Sequence, residues 1–315
     1  MPKRDPTLEL LNGLRHADDA VVTKALGHKA NFVVAKAAGI VAERELSAES
    51  ALVAALENWL DRPPGEDKGC EAKHALVEAL NRLGTTATDV LHRAARCVQL
   101  EPVGLVFDPS IPDMVTEPID AAANMRGVAV LALAAAGDAD VLPLMVDYLF
   151  DRPKFPQIDV PGVRISSARG LGLTGQDSAA LVLRAKLKAD TDVEEVIAES
   201  ATALCMLRPR WLETFVRPWI AEQPSETLQL TGLAVAELRP PNAFEVLGWL
   251  WERLRHERGG AELLTAFALL RSEPATDFLL GLIREGEFRS EAKAALTPWM
   301  EIGDLRERVR EAERG

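Results

Sequence analysis

Gly170, Gly172 and Gly175 spell G-x-G-x-x-G, a pattern that holds a pyrophosphate when it joins a strand to the N-terminus of a helix. In this chain the glycines close a helical pattern, where carbonyls converge and the macrodipole is negative. They are expected to end a helix and to hold no nucleotide. Cys70 and His74 stand four apart, on one helix face, as two metal ligands would. A zinc site needs three or four ligands, and the nearby His92 and Cys97 are five apart and share no face. A small buried cysteine beside a partly exposed histidine is expected instead. Glu194 and Glu195 are one acidic pair among many on a solvated helix, and neither a G-x-S-x-G elbow nor a P-loop occurs. No catalytic residue, metal or cofactor is expected.

A second set of residues recurs at fixed spacing. Arg164, Leu171 and Gly175 sit at offsets 0, 7 and 11, as do Arg126, Leu133 and Gly137, and Lys73, Leu80 and Gly84. A basic residue near a helix start, a leucine two turns on and a glycine past the end make a helix-and-stop unit, and three copies indicate a repeat. Lys36 shares the frame Ala-Lys-x-Ala with Lys73, so stacking is expected to bring Lys36, Lys73, Arg126 and Arg164 into one row. Asp67, Asp120 and Asp159 precede three of these basic residues. Such pairs can cap helices and link neighbouring helices in a ladder, or they can contact a ligand. With Glu101, Asp108, Asp113 and Asp120 beside the row, the alternating charge fits an acidic peptide or another carboxylate-bearing partner. The expected binding residues are Lys36, Lys73, Glu101, Asp120, Arg126 and Arg164.

The elements that must position them follow from 3.6-residue periodicity, which divides the chain into pairs of an outer A helix and an inner B helix. After a short helix at 7–15, the pairs are 18–27 with 30–45, 48–60 with 69–83, 86–98 with 119–136, and 138–150 with 161–173. They continue as 177–188 with 193–207, 210–222 with 225–238, 242–257 with 260–271, and 275–285 with 288–300, closed by a helix from 304 to 314. Leu-Arg-Pro at 207–209 and 238–240 stops two B helices. Three long A-to-B connections, 61–68, 99–118 and 151–160, are expected to lie along one edge and form a recognition edge.

Composition agrees with a helical chain. Of its 315 residues 48% are hydrophobic and only 5% aromatic, a balance that favours small-residue helix packing over sheets. The net charge of −12 opposes phosphate backbones and anionic membranes. Neither half is basic, with 16 basic against 24 acidic residues up to position 160 and 20 against 24 after it. Three dispersed cysteines suit a reducing compartment, the start MPKRDPTLEL lacks a secretion signal, and no apolar run reaches the roughly 20 residues that span a bilayer. A soluble cytoplasmic protein is expected.

VRISSARGLGLTG, RGVAVLALAAAGDADVLPLMVDYL and FRSEAKAALTPWM resemble the HEAT-repeat family, particularly its short bacterial type, and the resemblance covers nearly the whole chain. In the C-terminal half Ile197, Leu228 and Glu262 replace the basic residue, and Arg289 restores it. The resemblance implies one all-α solenoid over 1–315, with cap helices at 1–17 and 303–315 and B helices lining a concave face. It implies no single activity; a non-enzymatic scaffold for a protein or peptide partner is expected because no constellation of titratable groups converges and the surface is acidic. HEAT-type hydroxylases carry several His-Glu pairs for iron, and this chain has only His256-Glu257. A HEAT-like DNA glycosylase would require a basic groove, and a HEAT-like chromophore or small-molecule lyase an apolar pocket. The six tryptophans, Trp59, Trp211, Trp219, Trp249, Trp251 and Trp299, are read as packing between the helical layers.

Overall fold

A computed structural model describes residues 6–102, 118–151, 161–189, 192–207, 212–257 and 260–314. Among these residues the chain is all-α, with eighteen α-helices and one short two-stranded ladder. Its contacts form two compact units, 1–170 and 171–315.

The first unit holds α1 (Pro6–Gly13), α2 (Asp19–Ala25), α3 (Asn31–Glu43), α4 (Glu49–Leu60), α5 (Glu71–Arg82), α6 (Thr88–Ala95), α7 (Ala123–Ala135), α8 (Val141–Phe150) and most of α9 (Gly162–Leu173). Neighbouring helices pack as pairs, α2 on α3, α4 on α5, α6 on α7 and α7 on α8, and alternate helices pack as well, α3 on α5, α5 on α7 and α4 on α6. The seam along α3, α5 and α7 is small and aliphatic. Val34, Ala37, Leu76, Leu80, Val130 and Leu133 are wholly buried. Alanine and leucine favour the helix, and alanine lets axes approach closely.

The helices stop where the glycine spacing places the stop. Gly84 and Gly137 are left-handed, with φ of 66° and 75°. The next amides, of Thr85 and Asp138, donate to the carbonyls of Leu80 and Leu133 at 3.1 and 3.0 Å, closing a Schellman turn on the recurring leucine. Gly175 also takes a left-handed φ, of 66°.

The ladder is a correction to the expected absence of sheet. β1 (Leu100–Glu101) pairs antiparallel with β2 (Ile119–Asp120), so 119–120 lie outside the helix that periodicity extends from 119. Residues 103–117 and 152–160, most of two long connections, lie outside the described residues, as do Asp108, Asp113, Asp159 and Trp211.

The second unit runs from α10 (Asp177–Ala189) through α11 (Glu194–Leu207), a π-helical turn at Leu212–Val216, α12 (Arg217–Glu222), α13 (Ser225–Leu238), α14 (Ala243–Leu254), α15 (Gly260–Leu270), α16 (Glu273–Glu285) and α17 (Arg289–Leu296) to α18 (Leu305–Arg314). Alternate helices pack here too, α11 on α13, α13 on α15, α15 on α17, α12 on α14 and α16 on α18. Its core is more aromatic. Phe267 and Phe278 have ring centroids 4.5 Å apart, Trp251 lies 5.9 Å from Phe278, and Phe288 lies 4.9 Å from Trp251. No helix is long and apolar enough to cross a membrane among the described residues.

Candidate functional site

Four of the expected charged residues, Lys73, Glu101, Asp120 and Arg126, meet where α5 and α7 begin. Asp67 is wholly buried. Its carboxylate accepts the amides of Ala72 and Lys73 at 2.9 and 3.2 Å, which caps α5 across a kink where Gly69 and Cys70 are both left-handed. The Lys73 ammonium lies 3.6 Å from the same carboxylate and donates to the Gln99 side-chain oxygen. Gln99 is 1% exposed and uses every polar group it has. Its amide nitrogen Nε2 donates to the Asp67 carbonyl and to Glu101, both at 2.6 Å. Its backbone N–H donates to Asp120 at 3.0 Å, and its carbonyl accepts the Ala121 amide at 2.9 Å. Glu101 closes the circuit by accepting the Gly69 amide at 2.8 and 3.0 Å.

Asp120 repeats the arrangement for α7. It accepts the Ala122 amide at 3.0 Å and pairs with Arg126, whose guanidinium also donates to the Cys97 carbonyl at 3.0 Å. Arg126 sits 5.7 Å from the Tyr148 ring centroid, and the Tyr148 hydroxyl donates to the Ala95 carbonyl. Burial raises the Tyr148 hydroxyl above its ordinary pKa. It also pushes the Cys70 thiol up to about 12, against the attraction of Lys73, and raises Cys97. Cys70 is therefore a protonated packing group whose sulfur meets Met125 at 3.8 Å.

Four of the six expected site residues, Lys73, Glu101, Asp120 and Arg126, are thus joined in one network, and two are not seen in it. Lys36 is exposed on α3 and makes no hydrogen bond or ion pair among the described residues. Arg164 is 4% exposed at the start of α9. The expected open basic row is not what the burial describes. Lys73, at 2% exposure, cannot meet a ligand without opening its own network. The aspartate–cation pairs also lie within one helix start, and Gln99 and the Cys97 carbonyl carry the connection from α5 to α7.

Sequence reading missed Gln99. The only signal is its inward place in an alternation with exposed Val98 and Leu100 ahead of Glu101. It also missed Lys186, whose ammonium pairs with Asp192, the side chains being 4% and 6% exposed. Asp192 accepts the Val193 amide at 2.8 Å.

The glycine fingerprint has a packing explanation. A Cβ on Gly170 would lie 2.6 Å from the Met145 sulfur, and one on Gly172 would lie 3.0 Å from Ala203 Cβ, so no space for a phosphate exists above either. Trp59, Trp219 and Trp251 are at most 6% exposed, in keeping with packing. Among the described residues no group of three or more His, Cys, Asp or Glu side chains is placed to hold a metal. Neither a protein-family model nor a curated protein sequence matches this chain.

Proposed function

We propose that the chain is a HEAT-like α-solenoid of about eight helix pairs, running through both units, that works as a non-enzymatic cytoplasmic scaffold for a protein or peptide partner. The packing of alternate helices within each unit carries this reading, because stacked helix pairs put every B helix against the next. Two local features recur with it. Ser167, Ser200 and Thr231 are buried, stand 33 and 31 residues apart, and each donates to the carbonyl four residues earlier at 2.7 Å. The left-handed stop recurs eleven residues after positions 73, 126, 164 and 228, at Gly84, Gly137, Gly175 and Arg239.

The partner surface is placed on the N-terminal half. Lys36 makes the direct contact with an acidic group, Arg126, Glu101 and Asp120 border it, and Lys73 and Arg164 support it from beneath. Small-angle scattering tests the architecture, since a continuous solenoid requires an elongated particle and a compact one would overturn it. Capture of a partner from the native host, followed by titration, tests the surface. Lys36→Glu is expected to weaken that partner by more than about 1 kcal/mol without changing the melting temperature. Unchanged affinity would remove Lys36 from the site.

A further inference from the structure

Between α2 and α4 lies a cavity of 340 Å³, within the range of small-molecule sites, roughly 300 to 1,000 Å³. In a chain with 48 acidic residues, no aspartate or glutamate lines it. Its apolar lining includes Leu26, Ala51, Ala54 and Ala55, and its polar groups are Lys24, His28, Asn58 and Arg62, together with Thr23.

The hydrogen bonds around the cavity consume acceptors and leave donors. The Ala30 amide donates to His28 Nδ1 at 3.1 Å, so in the neutral ring the proton sits on Nε2, which faces no partner among the described residues. Arg62 Nε donates to Asn58 Oδ1 at 2.8 Å, which occupies the amide oxygen and leaves the Asn58 NH2 group free to donate. Arg62 is itself held in place. Its guanidinium lies 4.0 Å from the Trp59 ring centroid, Nη1 donates to the Lys29 carbonyl at 3.4 Å, and Nη2 keeps its hydrogens unpaired among the described residues. Lys24 is exposed and has no side-chain partner there. Glu66, 3.7 Å from Arg62 and 56% exposed, is the acid paired with the site, and it stands outside the lining.

Two cations, an imidazole N–H and an amide NH2 beside alanine side chains make a lining rich in donors, with an apolar flank. We propose that this cavity binds a small organic anion, a carboxylate or phosphate carried on a compact apolar body. The site needs no protein partner, so it stands or falls separately from the scaffold reading.

Calorimetric titration of the full chain with phenyl phosphate, benzoate and inorganic phosphate, at constant ionic strength in chloride, tests it. Phenyl phosphate and benzoate are expected to bind, each at least tenfold tighter than inorganic phosphate. Phenyltrimethylammonium is expected not to bind. Asn58→Asp keeps an oxygen for Arg62 Nε while replacing the NH2 donor with charge, and Lys24→Glu reverses an unpartnered exposed cation. Each is expected to weaken both organic anions at least tenfold with the melting temperature unchanged. Absence of binding, equal affinity for inorganic phosphate or for the cation, or full affinity in both variants would overturn the proposal.

Discussion

In the first unit Asp67 and Asp120 each cap the helix that follows and pair with a cation six residues later on that helix, Lys73 and Arg126. In the second unit Asp192 stands at the start of α11 and pairs with Lys186, six residues earlier on α10. The carboxylate keeps its place because the free N–H groups of a helix start require an acceptor there. The cation only has to reach that carboxylate, so either neighbouring helix can supply it. The second unit therefore draws its cation from α10. The surroundings also differ, since Gln99 and the β1–β2 ladder extend the pair in the first unit, while the second unit concentrates aromatic rings around Phe278.

The largest test of this equivalence is removal of the cation. Lys73→Ala and Lys186→Ala each remove the cation paired with a buried carboxylate, and each is expected to lower stability to urea by about 3–5 kcal/mol. Losses that agree within about 1 kcal/mol support one device in two forms. A much smaller loss at Lys186 would mean that the second unit relies on its aromatic core. Asp120→Ala is expected to cost less, about 2 kcal/mol, because it removes a cap and frees an Arg126 that is 11% exposed and still bonded to the Cys97 carbonyl.

The thiols offer a comparison that charge pairing does not enter in the same way. Burial pushes Cys70 in the first unit and Cys205 in the second up to about 12 from 9.0. Between those values the unfolded chain loses the thiol proton and the folded chain keeps it, so stability falls as pH rises. Each thiol is expected to contribute a slope of about 1.4 kcal/mol per pH unit from pH 9 upward. Stability measured against pH in Cys205→Ala should lose one such slope and keep the other. An unchanged slope would show that Cys205 is not the group responsible.

How much of this is legible in the sequence depends on the range of the forces involved. Helix α13 falls on 225–238 as periodicity places it, and the stops at Gly84, Gly137 and Gly175 follow from local backbone sterics. Asp67 reads correctly as a helix cap for the same reason. Ile119 and Asp120 look helical in sequence, but their pairing with Leu100 and Glu101 depends on tertiary contacts that no local pattern encodes. Lys73 reads as a surface cation, since an isolated lysine is rarely buried. Its burial rests on Asp67 and Gln99, the latter 26 residues away. Lys186 escapes a search for cations confined to B helices.

The smallest expected effect separates helix stops that share one backbone shape. Glu45, Arg239 and Arg271 take φ of 52°, 49° and 51°, where glycine rests without strain. Glu45 is exposed, has no side-chain partner among the described residues, and follows the same Schellman pattern, with the Leu46 amide donating to Val41 O at 3.0 Å. Arg239 donates to the Leu269 carbonyl at 3.1 Å, and the Arg271 guanidinium lies 3.8 Å from the Trp299 ring centroid. Glycine at any of the three relieves the left-handed strain of an L residue, about 1–2 kcal/mol, against a more entropic unfolded chain, about 0.5–1 kcal/mol. Glu45→Gly gives up no contact, so it is expected to raise stability by up to about 1.5 kcal/mol. Arg239→Gly and Arg271→Gly also forfeit a hydrogen bond or a cation–π contact, worth about 0.5–1.5 kcal/mol, and are expected to be neutral or destabilising. Thermal unfolding of the three variants distinguishes these outcomes. A gain of the same size at all three sites would mean that the arginine contacts contribute nothing and that backbone strain alone separates the stops.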